Sequence, residues 1–229
     1  MIKNMNVSSK LGLGFGILII LVVLLGIISI QKMSNVNDQS TVITENWMPS
    51  IKVVEEINTG TSDFRIAQYD RILSKTPEGI KKAEEDMEKY LAGINEDRAV
   101  YEKLISSSEE KVLYIEFSKQ FDKYLEIHKE LLVLIKENKV DDAEKIMRTT
   151  KVNFAEFSDT LLKLVEINVN GGNKANTDGD EIYDNAKILL ISIMIICVIL
   201  SILIALFITK SITGSLKNVQ EGMISFFAY

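Results

Sequence analysis

The chain has 229 residues, 47% of them hydrophobic, with 26 basic and 32 acidic side chains, a net charge of −6, one histidine and one cysteine. That acidic balance argues against nucleic acid, whose binding is dominated by lysine and arginine contacts to phosphate. A lone cysteine cannot form a disulfide framework, and a single histidine beside it gives no metal-spaced His and Cys cluster.

The first predicted element is the uncharged apolar run over residues 11–31, after a short segment, 1–10, that carries Lys3 and Lys10. It reaches the roughly 20 residues an α-helix needs to cross a hydrocarbon core about 30 Å thick. A cleaved signal peptide would have an apolar stretch of only about 7 to 15 residues and end at small residues. Here Ile27, Ile28, Ile30 and Gln31 lead straight into Lys32, so the run reads as an uncleaved anchor.

Residues 32–187 contain only Pro49, Pro77 and a few glycines as breakers, and their apolar residues recur at helical spacing. Ile43, Trp47, Ser50, Val54, Ile57, Thr61, Phe64 and Gln68 trace a first seam, with a kink predicted at Pro49. Ile80, Ala83, Met87, Tyr90, Ile94, Tyr101 and Leu104 trace a second. The third is the clearest: Tyr114, Phe117, Phe121, Tyr124, His128, Leu131 and Ile135 step by 3 and 4, the spacing of bundle packing. Phe154, Phe157, Leu161, Leu164 and Asn168 give a fourth, opened near Asp141 and Asp142.

The joints have turn chemistry. Thr76 can cap a helix whose first position is Pro77, and the Ser106-Ser107-Ser108-Glu109-Glu110 run offers an N-cap followed by acids. Short joints make neighbouring helices antiparallel. The stretch from Asn168 to Asp180, rich in Gly and Asn, has the weakest helical propensity and is still expected to be helical.

A second apolar run covers residues 188–209 and contains Cys197, read as an apolar filler. Beyond it, residues 210–229 carry Lys210, Lys217 and Glu221. With Lys3 and Lys10 these flanks are positive, so both termini are expected in the cytoplasm and the segment between the spans, net charge −9, outside. The expected fold class is therefore all-α: a membrane protein with two transmembrane helices flanking an antiparallel up-down four-helix bundle.

Three stretches, Ser9-Lys10-Leu11-Gly12-Leu13-Gly14-Phe15-Gly16, Asn46-Trp47-Met48-Pro49-Ser50-Ile51 and Ile208-Thr209-Lys210-Ser211-Ile212-Thr213-Gly214-Ser215-Leu216, occur in an order that resembles methyl-accepting chemotaxis proteins with a four-helix-bundle sensor. The resemblance implies a periplasmic or extracellular sensor over 32–187 in the inner (plasma) membrane and the start of a HAMP linker over 210–229. It implies a homodimer, an external small ligand or ligand-loaded binding protein, and a cytoplasmic chemotaxis kinase and adaptor reached through a region beyond Tyr229. The chain is thus expected to be part of a longer receptor. The same input region could precede a histidine kinase or a cyclic-dinucleotide enzyme, or could bind another protein. A proline common after the Ile-Thr pair is replaced here by Gly214-Ser215.

No Walker-type loop, nucleophile elbow or metal motif is present, so neither an enzyme nor a cofactor is expected. Arg65, Gln68 and Arg71 are the candidate ligand residues, since a carboxylate needs partly shielded guanidinium donors. Arg65 and Arg71 are six residues apart, about 600° of helical rotation, so they cannot point the same way; surface pairing with Asp63 or Asp70 is the alternative. His128 in an apolar seam reads as a register-setting polar residue, with a pH sensor or a ligand contact as the alternative. Trp47 and Pro49 read as fold-determining. Gly12 and Gly16 form G-x-x-x-G, a pattern that permits close helix contact in lipid and is also common in membrane helices.

Overall fold

The computed structural model describes residues 6–227, so Lys3, one of the charges used to orient the chain, lies outside the described residues, as do 228 and 229. Among the described residues every regular element is helical: α1 (Val7–Val42), a π-helical turn (Ile43–Trp47), α2 (Met48–Leu73), α3 (Pro77–Leu104), α4 (Ser108–Lys136), α5 (Val140–Thr149) and α6 (Lys151–Phe227). The chain divides into two compact units, residues 39–177 and residues 1–38 with 178–229.

The first unit is a helical bundle whose interior is the set of predicted seams. Val54, Ile57 and Phe64 of α2, Ile94 and Tyr101 of α3, Phe117, Phe121 and Tyr124 of α4, and Phe157, Leu161 and Leu164 of α6 are buried in one cluster. Aromatic rings bind α4 to α6: Phe157 stands edge-on to Phe117, Phe121 and Tyr124 at centroid distances of 6.3, 5.4 and 5.3 Å. Edge-to-face pairs at such distances contribute about 0.5–1.5 kcal/mol beyond area burial. A smaller cluster of Ile72, Leu131, Ile135, Ala143 and Met147 fills the end built by α2, α4 and α5.

The joints follow their sequence chemistry. Thr76 Oγ1 accepts from the Gly79 amide at 3.1 Å, with Pro77 opening α3. Ser107 caps α4 in a reciprocal capping box with Glu110. Asn138 turns α4 into α5 with a φ of 59°, a left-handed conformation that Asn tolerates better than most residues.

Two local expectations change and a third holds. The distortion predicted at Pro49 is a π-turn spread over Ile43–Trp47, in which the Met48 amide donates to the Ile43 carbonyl. Pro49 has no N–H to give the carbonyl four residues back, and the widened turn accommodates that missing bond one turn before the ring. The fourth helix is not single: α5 and α6 are separated at Thr150. The Gly- and Asn-rich stretch from Asn168 to Asp180 is continuous helix. Its Gly171 is set by packing, since a Cβ there would lie 2.6 Å from the Trp47 ring.

The second unit holds the two apolar runs. Both are helical and long enough to cross a membrane, and their apolar side chains face outward, as with Ile20, Ile30, Ile188 and Leu206, each above 60% exposed. A dry surrounding such as lipid accounts for so much exposed aliphatic surface. Where the runs touch, the small residue is Gly14: a Cβ on it would come within 2.8 Å of Ile204 Cγ2. Around Gly12 and Gly16 a Cβ would meet nothing within 4 Å, so the G-x-x-x-G pair does not make the contact between the two runs of one chain.

Candidate functional site

Arg65 and Gln68 sit one turn apart on the buried side of α2, facing α4 and α5. Arg65 Nη1 donates to the Tyr124 hydroxyl at 3.1 Å and to Thr150 Oγ1 at 2.9 Å; Nη2 reaches the Met147 carbonyl at 3.3 Å and the Tyr69 hydroxyl at 3.5 Å. The guanidinium carbon lies 5.0 Å from the Phe154 ring centroid and 5.5 Å from that of Tyr69. All these partners are neutral. Among the described residues no carboxylate pairs with this half-buried cation, which is thus stabilised by dipoles and π-faces alone.

From Tyr124 the hydrogen bonding continues in one direction. The Tyr124 hydroxyl donates to Gln68 Oε1 at 2.5 Å, and Gln68 Nε2 lies 2.7 Å from His128 Nδ1. With its oxygen engaged by Tyr124, the Gln68 amide presents N–H to the imidazole, so Nδ1 accepts and the proton resides on Nε2. Burial lowers the His128 pKa to about 4, and no charged neighbour opposes the shift. The ring is neutral at physiological pH and packs edge-on against Phe64 at 4.9 Å. Burial also raises the Tyr124 pKa. The crevice between Gln68, Tyr124, His128, Met147 and Thr150 has no room for a water molecule.

This cluster explains the helix break. Thr150 Oγ1 donates back to the Met147 carbonyl at 2.7 Å, the oxygen that Arg65 also engages. Insertion of side-chain donors into the helical hydrogen-bond ladder is a recognised cause of bends. A cation on α2 therefore reaches into the backbone that joins α5 to α6.

Arg71 does not join the cluster. It pairs through Nε with Glu84 Oε1 of α3 at 2.7 Å, rather than with Asp63 or Asp70. The helical rotation separating it from Arg65 sends it toward the neighbouring helix, which carries its own acid. The sequence reading thus brings two of its three ligand candidates together and misses Tyr124, Thr150 and Met147 as their partners.

A second buried polar group was also missed. Glu110, fully buried, accepts from the Tyr101 hydroxyl at 3.2 Å, from the Ser106 amide and hydroxyl at 3.1 Å each, and from the Ser107 amide at 3.0 Å. Asn168 Nδ2 donates to the same Tyr101 hydroxyl at 3.1 Å, and Asn46 Oδ1 lies 3.1 Å from the Ser106 hydroxyl as an alternative acceptor for its one hydrogen. The serine run followed by acids placed Glu110 in a first helical turn, but its burial and its link to α6 through Tyr101 had no local signal. Burial raises the Tyr101 pKa, so the phenol remains a donor to the carboxylate. Both oxygens of this carboxylate are bonded within the bundle, which makes it a strut between helices.

Comparison with known proteins agrees with this architecture. Residues 4–183 match the family model described as a four helix bundle sensory module for signal transduction. The chain is also 24% identical over 219 residues to YvaQ of Bacillus subtilis (strain 168), provisionally named a sensory transducer protein; the match covers 96% of this chain and 39% of that relative.

Proposed function

Because the chain belongs to the four-helix-bundle sensory modules for signal transduction, we propose that it is the input region of a transmembrane chemoreceptor that binds a small anionic ligand outside the cell. The observation that carries this reading is the Arg65 guanidinium, half-buried and cupped by Tyr69, Tyr124 and Phe154 with neutral partners only. A carboxylate would supply the charge-assisted partner that this cation lacks, and in a partly desolvated setting such bonds are about twice as strong as neutral ones. Gln68 stands beside it as a second donor. Arg71 would contribute only on leaving Glu84.

The same residue offers a route for the signal. A ligand that draws Arg65 toward itself weakens its hold on Thr150 and the Met147 carbonyl, allowing α5 and α6 to repack at their junction. The helix that begins there is α6, which runs through the second apolar span. The relay passes along it to a HAMP segment beginning near Ile212 and on to a kinase-control module. A ligand shifts such an equilibrium only by its differential affinity for the two states, with coupling typically about 1–3 kcal/mol. The receptor acts as a homodimer in the cell membrane, with both termini cytoplasmic and the open faces of Gly12 and Gly16 available to a second copy.

The test is thermal unfolding of the full chain in detergent against a panel of small carboxylates. A true ligand at a hundred times its Kd stabilises the folded state by about 2.7 kcal/mol. The shift is expected to vanish in Arg65→Gln and to persist in Arg71→Gln. A shift retained in Arg65→Gln would remove the arginine from the site; failure of every small molecule would favour a ligand-loaded binding protein.

A further inference from the structure

The unit that holds the two apolar runs carries a groove between α1 and α6 of about 410 Å³, within the 300–1,000 Å³ range usual for small-molecule sites. It lies where the apolar runs give way to polar sequence. Lys32 immediately follows the first run and Lys187 immediately precedes the second, and both line this groove. The rest of the lining is uncharged, including Met33, Tyr183, Leu190 and Ile191. Neither lysine has a carboxylate within 4 Å among the described residues, and Lys187 instead lies 6.0 Å from the Tyr183 ring centroid.

We propose that this groove binds one anionic phospholipid of the outer leaflet, its phosphate held between Lys32 and Lys187 and an acyl chain laid against Leu190 and Ile191. Charge complementarity selects that occupant: the lining holds two cations and no acid, so a zwitterionic headgroup gains less from it than one with net negative charge. Each lysine is at a boundary position, where an ammonium on a long aliphatic stem reaches headgroup phosphate while its methylenes stay against apolar surface. Tyr183, more than half exposed, has the amphipathic ring that settles at the same level. Both lysines oppose the positive-inside bias if they face outward, and a lipid phosphate between them offsets that charge. The inference rests on the apolar runs being membrane spans, and its leaflet assignment rests on the outward orientation proposed above.

Native mass spectrometry of the full chain, released from micelles containing equal amounts of phosphatidylglycerol and phosphatidylcholine with identical acyl chains, reads the preference directly. One anionic lipid per chain is expected, favoured on the order of tenfold. The preference should fall to near parity in Lys32→Gln/Lys187→Gln and remain in Lys10→Gln/Lys210→Gln, with unchanged helical circular dichroism in both. Equal retention of the two lipids, or a preference that survives loss of Lys32 and Lys187, would overturn the site. Efficient cross-linking of Met33→Cys between two copies, with no lipid retained, would assign the groove to a second chain instead. Sidedness is read separately: in a Cys197→Ser background, Asn185→Cys should react with an impermeant maleimide on intact cells. Labelling only after lysis would move the lipid to the inner leaflet, overturning the leaflet assignment and the topology while the mass spectra still decide the binding.

Discussion

His128 has no local reason to be neutral except where it sits. Its Nδ1 receives the Gln68 amide, whose oxygen is taken by Tyr124, whose own oxygen is taken by Arg65. Protonating Nδ1 would set two donors face to face and would place a charge in a buried site. The linkage follows from the two pKa values. Folded, the ring titrates near 4; unfolded, near 6.5, so between these the unfolded chain binds more protons. Stability from this group is intact above pH 6.5 and falls as pH drops toward 4, by up to about 1.4 kcal/mol per pH unit. Denaturant titrations of the full chain at pH 7 and pH 5 should show a smaller loss for His128→Gln than for the native chain. Equal losses would mean that carboxylates alone set the acid limb. Gln68→Leu, which leaves the Tyr124 hydroxyl and the imidazole without their shared partner, should cost about 1–3 kcal/mol in the same measurement.

At the scale of elements, two adjacent glycines of α6, Gly171 and Gly172, make opposite predictions. A Cβ on Gly171 would sit 2.6 Å from the Trp47 ring, whereas one on Gly172 would rest 3.5 Å from the Trp47 Cβ, an ordinary contact. Gly171→Ala should therefore destabilise the bundle by about 1–3 kcal/mol through overpacking. Gly172→Ala should be neutral or gain up to about 1 kcal/mol from helix propensity. Thermal unfolding of the two variants decides it, and equal behaviour would mean that the tryptophan ring is free to move. Removing the α4 cap with Ser107→Ala should cost about 1 kcal/mol by the same assay. What was legible at this scale was whatever is local. Seams at 3- and 4-residue steps marked the buried faces, Thr76 and the serine run 106–108 marked helix starts, and Thr76 and Ser107 form the capping hydrogen bonds. The break at Thr150 was illegible because its cause, Arg65, lies on another helix. The sequence from Asn168 looked weak for the converse reason: propensity counts Gly171 as a loss and cannot see the ring it admits. Arg65 and Gln68 could be nominated by residue type, but their partners on α4 and α5 required the fold.

For the molecule as a whole, the decisive quantity is which residues meet water on which side. The two apolar runs expose aliphatic surface over their lengths, while the bundle hides its aromatic residues inside. One chain therefore needs two solvents, and the division between units follows that need. The proposed orientation rests on charge: lysines at 10, 210 and 217 against one glutamate lie outside the two runs in sequence, and the acidic segment lies between them. Translocating that segment leaves a net charge of −9 outside and keeps the flanking lysines in, which is the cheaper arrangement under the positive-inside bias. Reporter cysteines in a Cys197→Ser chain test it at both extremes. Asn138→Cys, at the left-handed turn between α4 and α5, is expected to react with a membrane-impermeant maleimide on intact cells. Gly214→Cys, which follows the second run and has open space around it, is expected to react only after permeabilisation. The reverse pattern would overturn the proposed orientation, placing Arg65 and its cage of rings in the cytoplasm, where an external ligand could not reach them. Labelling of both sites on intact cells would mean that the second run does not cross, and a signal could not pass through α6 at all.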